Sequence, residues 1–274
     1  MVYHHTLKGD IVLARVFAVA NQKGGVGKTT SCINIAASLA LAKCRVLLID
    51  LDPQGNATTG SGVDKSTLSY SINDVLLGNV SISESVIKNT AGGYDVIGAS
   101  QELTQAEVKL LETPHRERCL RLYLASLLTH YDYILFDCPP SLNMLTLNGL
   151  VAADGVIIAM QCEYYALEGL SALVNTIHSI KRTANPYLQI EGILRTMYDP
   201  RNRLAGDVSE QLQAHFGDKL YKTLIPRNIR LAEAPSHGLP IVCYDNQSRG
   251  AIAYQELANE ILQQHETSKR VQTA

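Results

Sequence analysis

Two lysines stand five positions apart in the stretch "NQKGGVGKTT", residues 21–30. Gly27-Lys28-Thr29 closes the pattern G-x-x-x-x-G-K-[ST], whose lysine serves the phosphates of a nucleoside triphosphate. The first glycine of that pattern falls on Gln22, and a compact Lys23-Gly24-Gly25 stands beside it instead. Gly24, Gly25 and Gly27 let backbone N–H groups turn inward onto phosphate oxygens, with Val26 inside the same turn. Lys28 is expected to reach the β- and γ-phosphates and the Thr29 hydroxyl to ligate Mg²⁺. A helix opening at Thr29 and Thr30 adds its positive end to the cradle. The simpler alternative is a glycine-rich turn that only joins a strand to a helix. The standard pattern gives Lys23 no role.

Phosphate chemistry of this kind also needs an acidic residue at the end of a second buried strand to hold the metal. Asp137 closes "YDYILFD" in that way, although an aspartate at a strand end can equally cap the next turn. Asp50 and Asp52 follow the run "RVLLI", and Pro53 and Gly55 force the chain out of the strand. A carboxylate there, Asp52, is placed to orient the water that attacks a γ-phosphate. A pair of turn-forming aspartates is the competing reading.

The elements that must hold these residues are short apolar runs alternating with amphipathic stretches. Strands are expected at 16–20, 45–50, 94–99, 133–137, 155–160, 189–197 and 219–225, and helices at 29–42, 101–111, 116–129, 167–183, 207–216 and 250–264. Near-continuous apolar runs suit a parallel sheet covered on both faces. The expected fold is therefore α/β: a mostly parallel twisted sheet with helices on both faces, as in phosphate-loop NTPases. One domain is expected over 16–265, after an extension at 1–15 and before a polar tail at 266–274.

The 274 residues are 46% hydrophobic and 18% charged, the composition of a globular protein with a sizeable core. A formal charge of −2 excludes a uniformly basic nucleic-acid binder while leaving room for a local patch. Six cysteines show no C-x-x-C pair, which fits buried thiols in a reducing compartment. No apolar run approaches the length of a membrane helix, and the first ten residues lack the apolar core of a signal peptide. A cytoplasmic location is expected.

Lys23-Gly24-Gly25-Val26-Gly27-Lys28-Thr29, Asp50-Leu51-Asp52-Pro53-Gln54-Gly55-Asn56 and Asp137-Cys138-Pro139-Pro140-Ser141 together resemble the ParA family of partition ATPases, most closely its short, Soj-like branch. The segments "IPRNIRLAEAPSHGLPI" (225–241) and "YDNQSRGAIAY" (244–254) extend the likeness, which runs from about residue 16 to 264. The resemblance implies a Mg²⁺-dependent ATP hydrolase with slow basal turnover that is a homodimer when ATP-bound. It also implies a role for Lys23, which would cross the dimer interface to the other subunit's nucleotide. Two anionic nucleotides held face to face repel unless cations stand between them. The resemblance further places the adenine against Pro226 and Asn228, where a plain turn is the rival reading.

The family also implies nonspecific double-stranded DNA as a partner in the ATP state, a ParB-type protein that stimulates hydrolysis and release, and association with the nucleoid. Residues 195–230 hold seven basic and four acidic side chains, a local excess of +3 that leaves −5 on the remainder. By resemblance Arg201 and Arg230 are the favoured DNA contacts; an ordinary mixed-charge surface is the alternative. The C-terminal "NEILQQHETSKRVQTA" lacks the apolar face of a membrane-binding helix. That argues against the alternative of a MinD-like or cargo-positioning ATPase acting on a membrane, though a protein cluster stays open as cargo. A single Cys138 does not match the bridging cysteines of a nitrogenase-type iron protein.

Overall fold

The computed structural model describes residues 13–272. Six strands form one sheet in the order β3-β2-β4-β1-β5-β6, with every neighbouring pair parallel. They are β1 (Arg15–Ala20), β2 (Val46–Asp50), β3 (Asp95–Ile97), β4 (Tyr133–Asp137), β5 (Gly155–Gln161) and β6 (Gln189–Thr196). The α-helices are α1 (Lys28–Leu41), α2 (Asn56–Gly60), α3 (Ile72–Leu76), α4 (Leu103–Leu110), α5 (Cys119–Leu124), α6 (Met144–Ala152), α7 (Ala166–Thr183), α8 (Arg203–Phe216), α9 (Ile229–Glu233), α10 (Ile241–Tyr244) and α11 (Arg249–Gln272).

The strands are apolar on both faces because both faces are covered. In β1, Val16, Ala18 and Ala20 join one core with α3 to α8, while Phe17 and Val19 join a second core with α1 and α11. Alternate residues of a strand point to opposite faces, so complete burial erases the polar alternation that a half-exposed strand would show. The expected α/β layered fold is therefore the observed one.

The segment at 219–225 was expected as a seventh strand and is not one. It makes no continuous ladder with β6: Ile193 and Leu220 form an isolated parallel bridge, and the Tyr221 and Ile225 N–H groups donate to the Ile193 and Arg195 carbonyls at 3.1 and 3.0 Å. The Glu260 carboxylate of α11 accepts the N–H groups of Lys222 at 2.7 Å and Thr223 at 3.1 Å, which breaks the run of bonds to β6 between Tyr221 and Ile225. The expected helix at 116–129 is a 3₁₀ turn over Arg116–Arg118 followed by the short α5. The nearly uniform apolar sequence of α6 hid its helical period.

At the ends, residues 1–12 of the expected extension and residues 273–274 of the expected tail lie outside the described part. Arg15 already belongs to β1, and the Ala14 N–H donates to the Leu128 carbonyl at 2.7 Å, so the body of the fold begins before residue 16. Where a polar tail was expected from residue 266, α11 continues to Gln272. No helix among the described residues is long and apolar enough to cross a membrane.

Candidate functional site

Open parallel sheets present their ligands at the carboxyl ends of the strands. At the end of β1, Asn21 fixes the start of the glycine-rich loop: its Nδ2 donates to the Ala159 carbonyl of β5 at 2.7 Å, and its Oδ1 accepts the Lys23 N–H at 3.0 Å. Gly25 (φ 71°) and Gly27 (φ 86°) then take left-handed conformations that favour glycine. Among the described residues, no N–H from Gly24 through Thr30 donates to a protein acceptor. Gly27 caps α1 with no side chain, so these donors stay directed at the cleft. The loop is pinned from behind, where the Thr196 hydroxyl at the end of β6 donates to the Val26 carbonyl at 2.7 Å, with the Met160 carbonyl an alternative acceptor at 3.0 Å.

Lys28 is nearly buried, and its ammonium donates to the Lys23 carbonyl at 3.0 Å. Burial pushes its pKa down, against the pull of Asp137, Cys138 and Asp52. Such an ammonium is desolvated and ready to gain from an anion. The other lysine behaves differently. Lys23 is half exposed and ion-paired with Glu163, just past the end of β5.

Asp50 and Asp137 close adjacent strands as register partners, and both are fully buried. Asp50 is a structural anchor: Oδ2 accepts the Thr58 N–H at 2.8 Å and hydroxyl at 2.7 Å, and Oδ1 accepts the Asp52 N–H at 3.1 Å. Burial pushes its pKa up to about 6 despite the Thr58 and Asp52 bonds. Neither oxygen of Asp137 has a hydrogen-bond partner. Burial first, then the Asp50 carboxylate, hold its carboxyl well above the usual range, with Asp52 adding to the rise and Thr29 and Lys28 opposing it. A buried, unbonded carboxyl beside a threonine hydroxyl lacks a cation, and a hard divalent ion fits that donor set. The described residues hold no cluster of three or more His, Cys, Asp or Glu side chains that could ligate a metal. Thr29 and Asp137 thus suit an ion that keeps most of its ligands from water and phosphate, as Mg²⁺ does.

Asp52 sits in the turn after β2, where Oδ1 accepts the Gln54 N–H at 2.9 Å and its carbonyl accepts the Gly55 N–H at 2.8 Å. Asp52 forms the turn and also lines the cleft beside the glycine-rich loop. Gly55 makes the turn possible: φ is 60°, and a Cβ there would lie 2.7 Å from the Ala99 carbonyl oxygen.

The loop glycines, Lys28, Thr29, Thr30 and Asp52 share one cavity of about 660 Å³. A second cavity of about 350 Å³ adjoins it, lined by Pro226, Asn228, Thr196, Ile229 and Tyr254, and Gly27, Thr30 and Met197 line both. The Tyr198 N–H donates to the Ile225 carbonyl at 2.9 Å and the Arg227 N–H to the Tyr198 carbonyl at 3.1 Å, holding the Pro226 turn against β6. Asn228 Oδ1 accepts the Leu231 N–H at 3.3 Å and so caps α9. A cleft lined by the loop glycines and Lys28 opens onto a smaller, more apolar pocket, a shape that suits a nucleotide. Met197 and Glu163 were not anticipated. Met197 takes φ 49° at the junction of the cavities, and nothing in its residue type signals that. Glu163 carried one usable signal, its place just after a strand's carboxyl end.

The two favoured arginines lie apart from the cleft floor and are already paired. Arg201 is 88% exposed and bonds the Asp199 carboxylate at 2.8 Å; Arg230 meets Glu233 at 2.9 Å and Asp245 at 3.5 Å. Arg195, counted in the basic segment, is buried and spends its guanidinium on the Ser209 hydroxyl and the Tyr221 carbonyl, both at 2.7 Å. It does not belong to the surface charge.

Comparison with known proteins agrees with this geometry. The AAA domain family matches residues 14–190. The sporulation initiation inhibitor protein Soj of Bacillus subtilis is 49% identical over 249 residues, covering 91% of this chain and 98% of that one. The chromosome partitioning protein ParA of Caulobacter vibrioides is 47% identical over 250 residues, covering 90% and 94%. Among solved structures, a protein from Mycobacterium smegmatis described as cobyrinic acid a,c-diamide synthase with bound ADP and magnesium is 38% identical with a TM-score of 0.81, covering 93% of this chain and 97% of that one. On the strength of these likenesses, the chain belongs to the ParA/Soj family of partition ATPases.

Proposed function

We propose that this chain is an ATP-gated DNA-segregation switch. It would close into a homodimer around ATP and Mg²⁺, bind double-stranded DNA without sequence preference, and let go after hydrolysis stimulated by a ParB-type partner. The observation that carries the reading is one cleft lined by the unbonded loop N–H groups, the desolvated Lys28 ammonium and Thr29, with the unbonded Asp137 carboxyl buried beside Thr29 and Lys28. Bound Mg²⁺ supplies charge neutralisation along the phosphates. The loop N–H groups and Lys28 hold the phosphates, Thr29 and Asp137 hold the metal, and Asp52 orients the attacking water. Pro226 and Asn228 flank the base. Lys23 serves the second subunit, where its charge offsets the repulsion between two facing nucleotides.

Arg201 and Arg230 supply phosphate contacts on the DNA backbone. One subunit's patch is too small for tight binding; doubling it in a twofold dimer raises affinity steeply, because each added contact releases a counterion. On this reading the protein works in the cytoplasm on the nucleoid. The Mycobacterium structure's description raises a second reading, a metabolic enzyme with a small-molecule acceptor, and ATP turnover with no metabolite added would count against it.

The deciding experiment is binding of random-sequence DNA by the Asp52→Ala protein, with ATP and with ADP, at low and moderate salt. Binding with ATP alone that fades with salt is expected. ATP dimers that ignore DNA in every condition would overturn the DNA reading and move the target to a protein cluster or a membrane surface.

A further inference from the structure

The role proposed for Lys23 requires its ammonium to leave its own subunit, and in the single chain that ammonium already has a partner. Lys23 Nζ is paired with Glu163, with the two side chains 51% and 50% exposed. The rest of Lys23 is fixed. Its N–H is held by Asn21, which is tied to β5 through the Ala159 carbonyl, and its own carbonyl receives Lys28 Nζ. Glu163 hangs from the end of the same strand: its N–H donates to the Gln161 carbonyl at 3.0 Å, and its carbonyl accepts the Ala166 N–H at 3.0 Å at the start of α7. Both backbones are thus referred to β5, and only the two side-chain ends are free to part.

We propose that Glu163 is a latch that holds Lys23 on its own subunit and sets how much phosphate charge a partner must offer to take it. The proposal rests on the dimer reading above. A single exposed carboxylate competes with the phosphates of the facing nucleotide for one ammonium. In a water-excluded interface the triphosphate wins by charge, while a diphosphate, lacking the γ group, has less with which to displace Glu163. The latch therefore makes dimerisation selective for ATP over ADP. Glu163 is a positioning residue in this scheme, acting through Lys23.

An exposed ion pair amounts to a factor of up to about five, and two latches open per dimer, so the expected effect is roughly three- to tenfold. The test is dimerisation of the full chain by light scattering, titrated with a non-hydrolysable ATP analogue and with ADP, for the wild type, Glu163→Gln and Glu163→Asp. Glu163→Gln is expected to dimerise at about three- to tenfold lower analogue concentration and to give dimers at high ADP. Its advantage should shrink at 0.5 M salt, roughly a Debye length of 4–5 Å, because the lost pair is screened there for the wild type too. Glu163→Asp keeps the charge and should track the wild type. A purely structural role for Glu163 would show neither the salt dependence nor the rescue by aspartate. If the wild type dimerises and Glu163→Gln needs as much analogue or more, the latch is overturned. A wild type that stays monomeric with the analogue overturns the dimer reading, and the latch with it.

Discussion

Asp50 and Asp137 are register partners at the ends of β2 and β4, both fully buried, and only Asp50 is hydrogen-bonded. Two carboxyl groups a strand's width apart in the same dry environment thus have opposite roles. Asp50 organises protein: through Thr58 it ties the start of α2 to β2, and the Thr58 hydroxyl in turn accepts the Ala99 N–H at 2.9 Å beyond β3. Asp137 has no hydrogen-bond partner, and only its neighbours Thr29 and Lys28 oppose the rise in its pKa.

That division predicts a crossed pair of phenotypes. Asp50→Ala leaves the buried Thr58 and Asp52 donors without an acceptor, at about 1–3 kcal/mol for each group so stranded. Its thermal midpoint should drop by several degrees. Asp137→Asn removes a buried carboxyl that has no hydrogen-bond partner and whose burial outweighs the pull of Thr29 and Lys28, so the fold should melt at or above the wild-type temperature. Nucleotide affinity of Asp137→Asn should lose its dependence on Mg²⁺. Calorimetric melting and nucleotide titration with and without Mg²⁺ read both; a strongly destabilised Asp137→Asn would contradict the assignment.

Lys28→Ala should abolish measurable ATP binding while leaving the fold intact. The ammonium is desolvated in the free chain, so its loss relieves burial and gives up one bond, to the Lys23 carbonyl. Removing a buried charge from a charged ligand costs about 2–5 kcal/mol, a factor of roughly 30 or more in affinity. Titration calorimetry with ATP checks it, and an unchanged dissociation constant would remove Lys28 from the phosphate site.

Asp52→Ala should bind ATP normally and accumulate dimer, because the cleft and loop remain while the group that orients water is gone. Its turn loses one bond, from the Gln54 N–H, which is exposed and readily hydrated. Light scattering with ATP, together with phosphate release, separates the outcomes. A monomer with wild-type turnover would return Asp52 to a turn-forming role alone.

Most of this architecture could be read from local residue patterns. The loop glycines, Lys28 and Thr29 could be placed in one cleft with Asp52 because a phosphate-loop pattern fixes residue types at set spacing, and both strand-face burials show as unbroken apolar runs. What escaped depends on distant parts of the chain. The strand expected at 219–225 is interrupted because Glu260, far along in α11, claims the Lys222 and Thr223 N–H groups in its middle. Arg195 looks like surface charge until Ser209 and Tyr221 are seen around it. The sequence points to Asp52 and leaves Asp50 without a role of its own, and the Thr58 bonds assign Asp50 to the framework. Glu163 has no motif because its partner Lys23 lies 140 residues away.

The surface arginines give the last prediction. Arg230 is paired with Glu233 and Asp245, and Arg201 with Asp199. Exposed ion pairs of this kind contribute about 0–1 kcal/mol, so exchanging a carboxylate for a DNA phosphate costs little. Arg230→Glu should therefore leave ATP-driven dimerisation intact and weaken DNA binding at every sequence alike. Each lost phosphate contact lowers the salt slope by about 0.9, and a twofold dimer loses two, so the slope should flatten by about 2. Arg195→Glu is the contrasting variant: it strands the Ser209 and Tyr221 contacts in the interior and should lower the melting temperature before DNA is added. Salt titrations of DNA affinity by fluorescence anisotropy, run beside melting curves, test both. An Arg230→Glu protein with the wild-type salt slope would move the DNA surface away from α9.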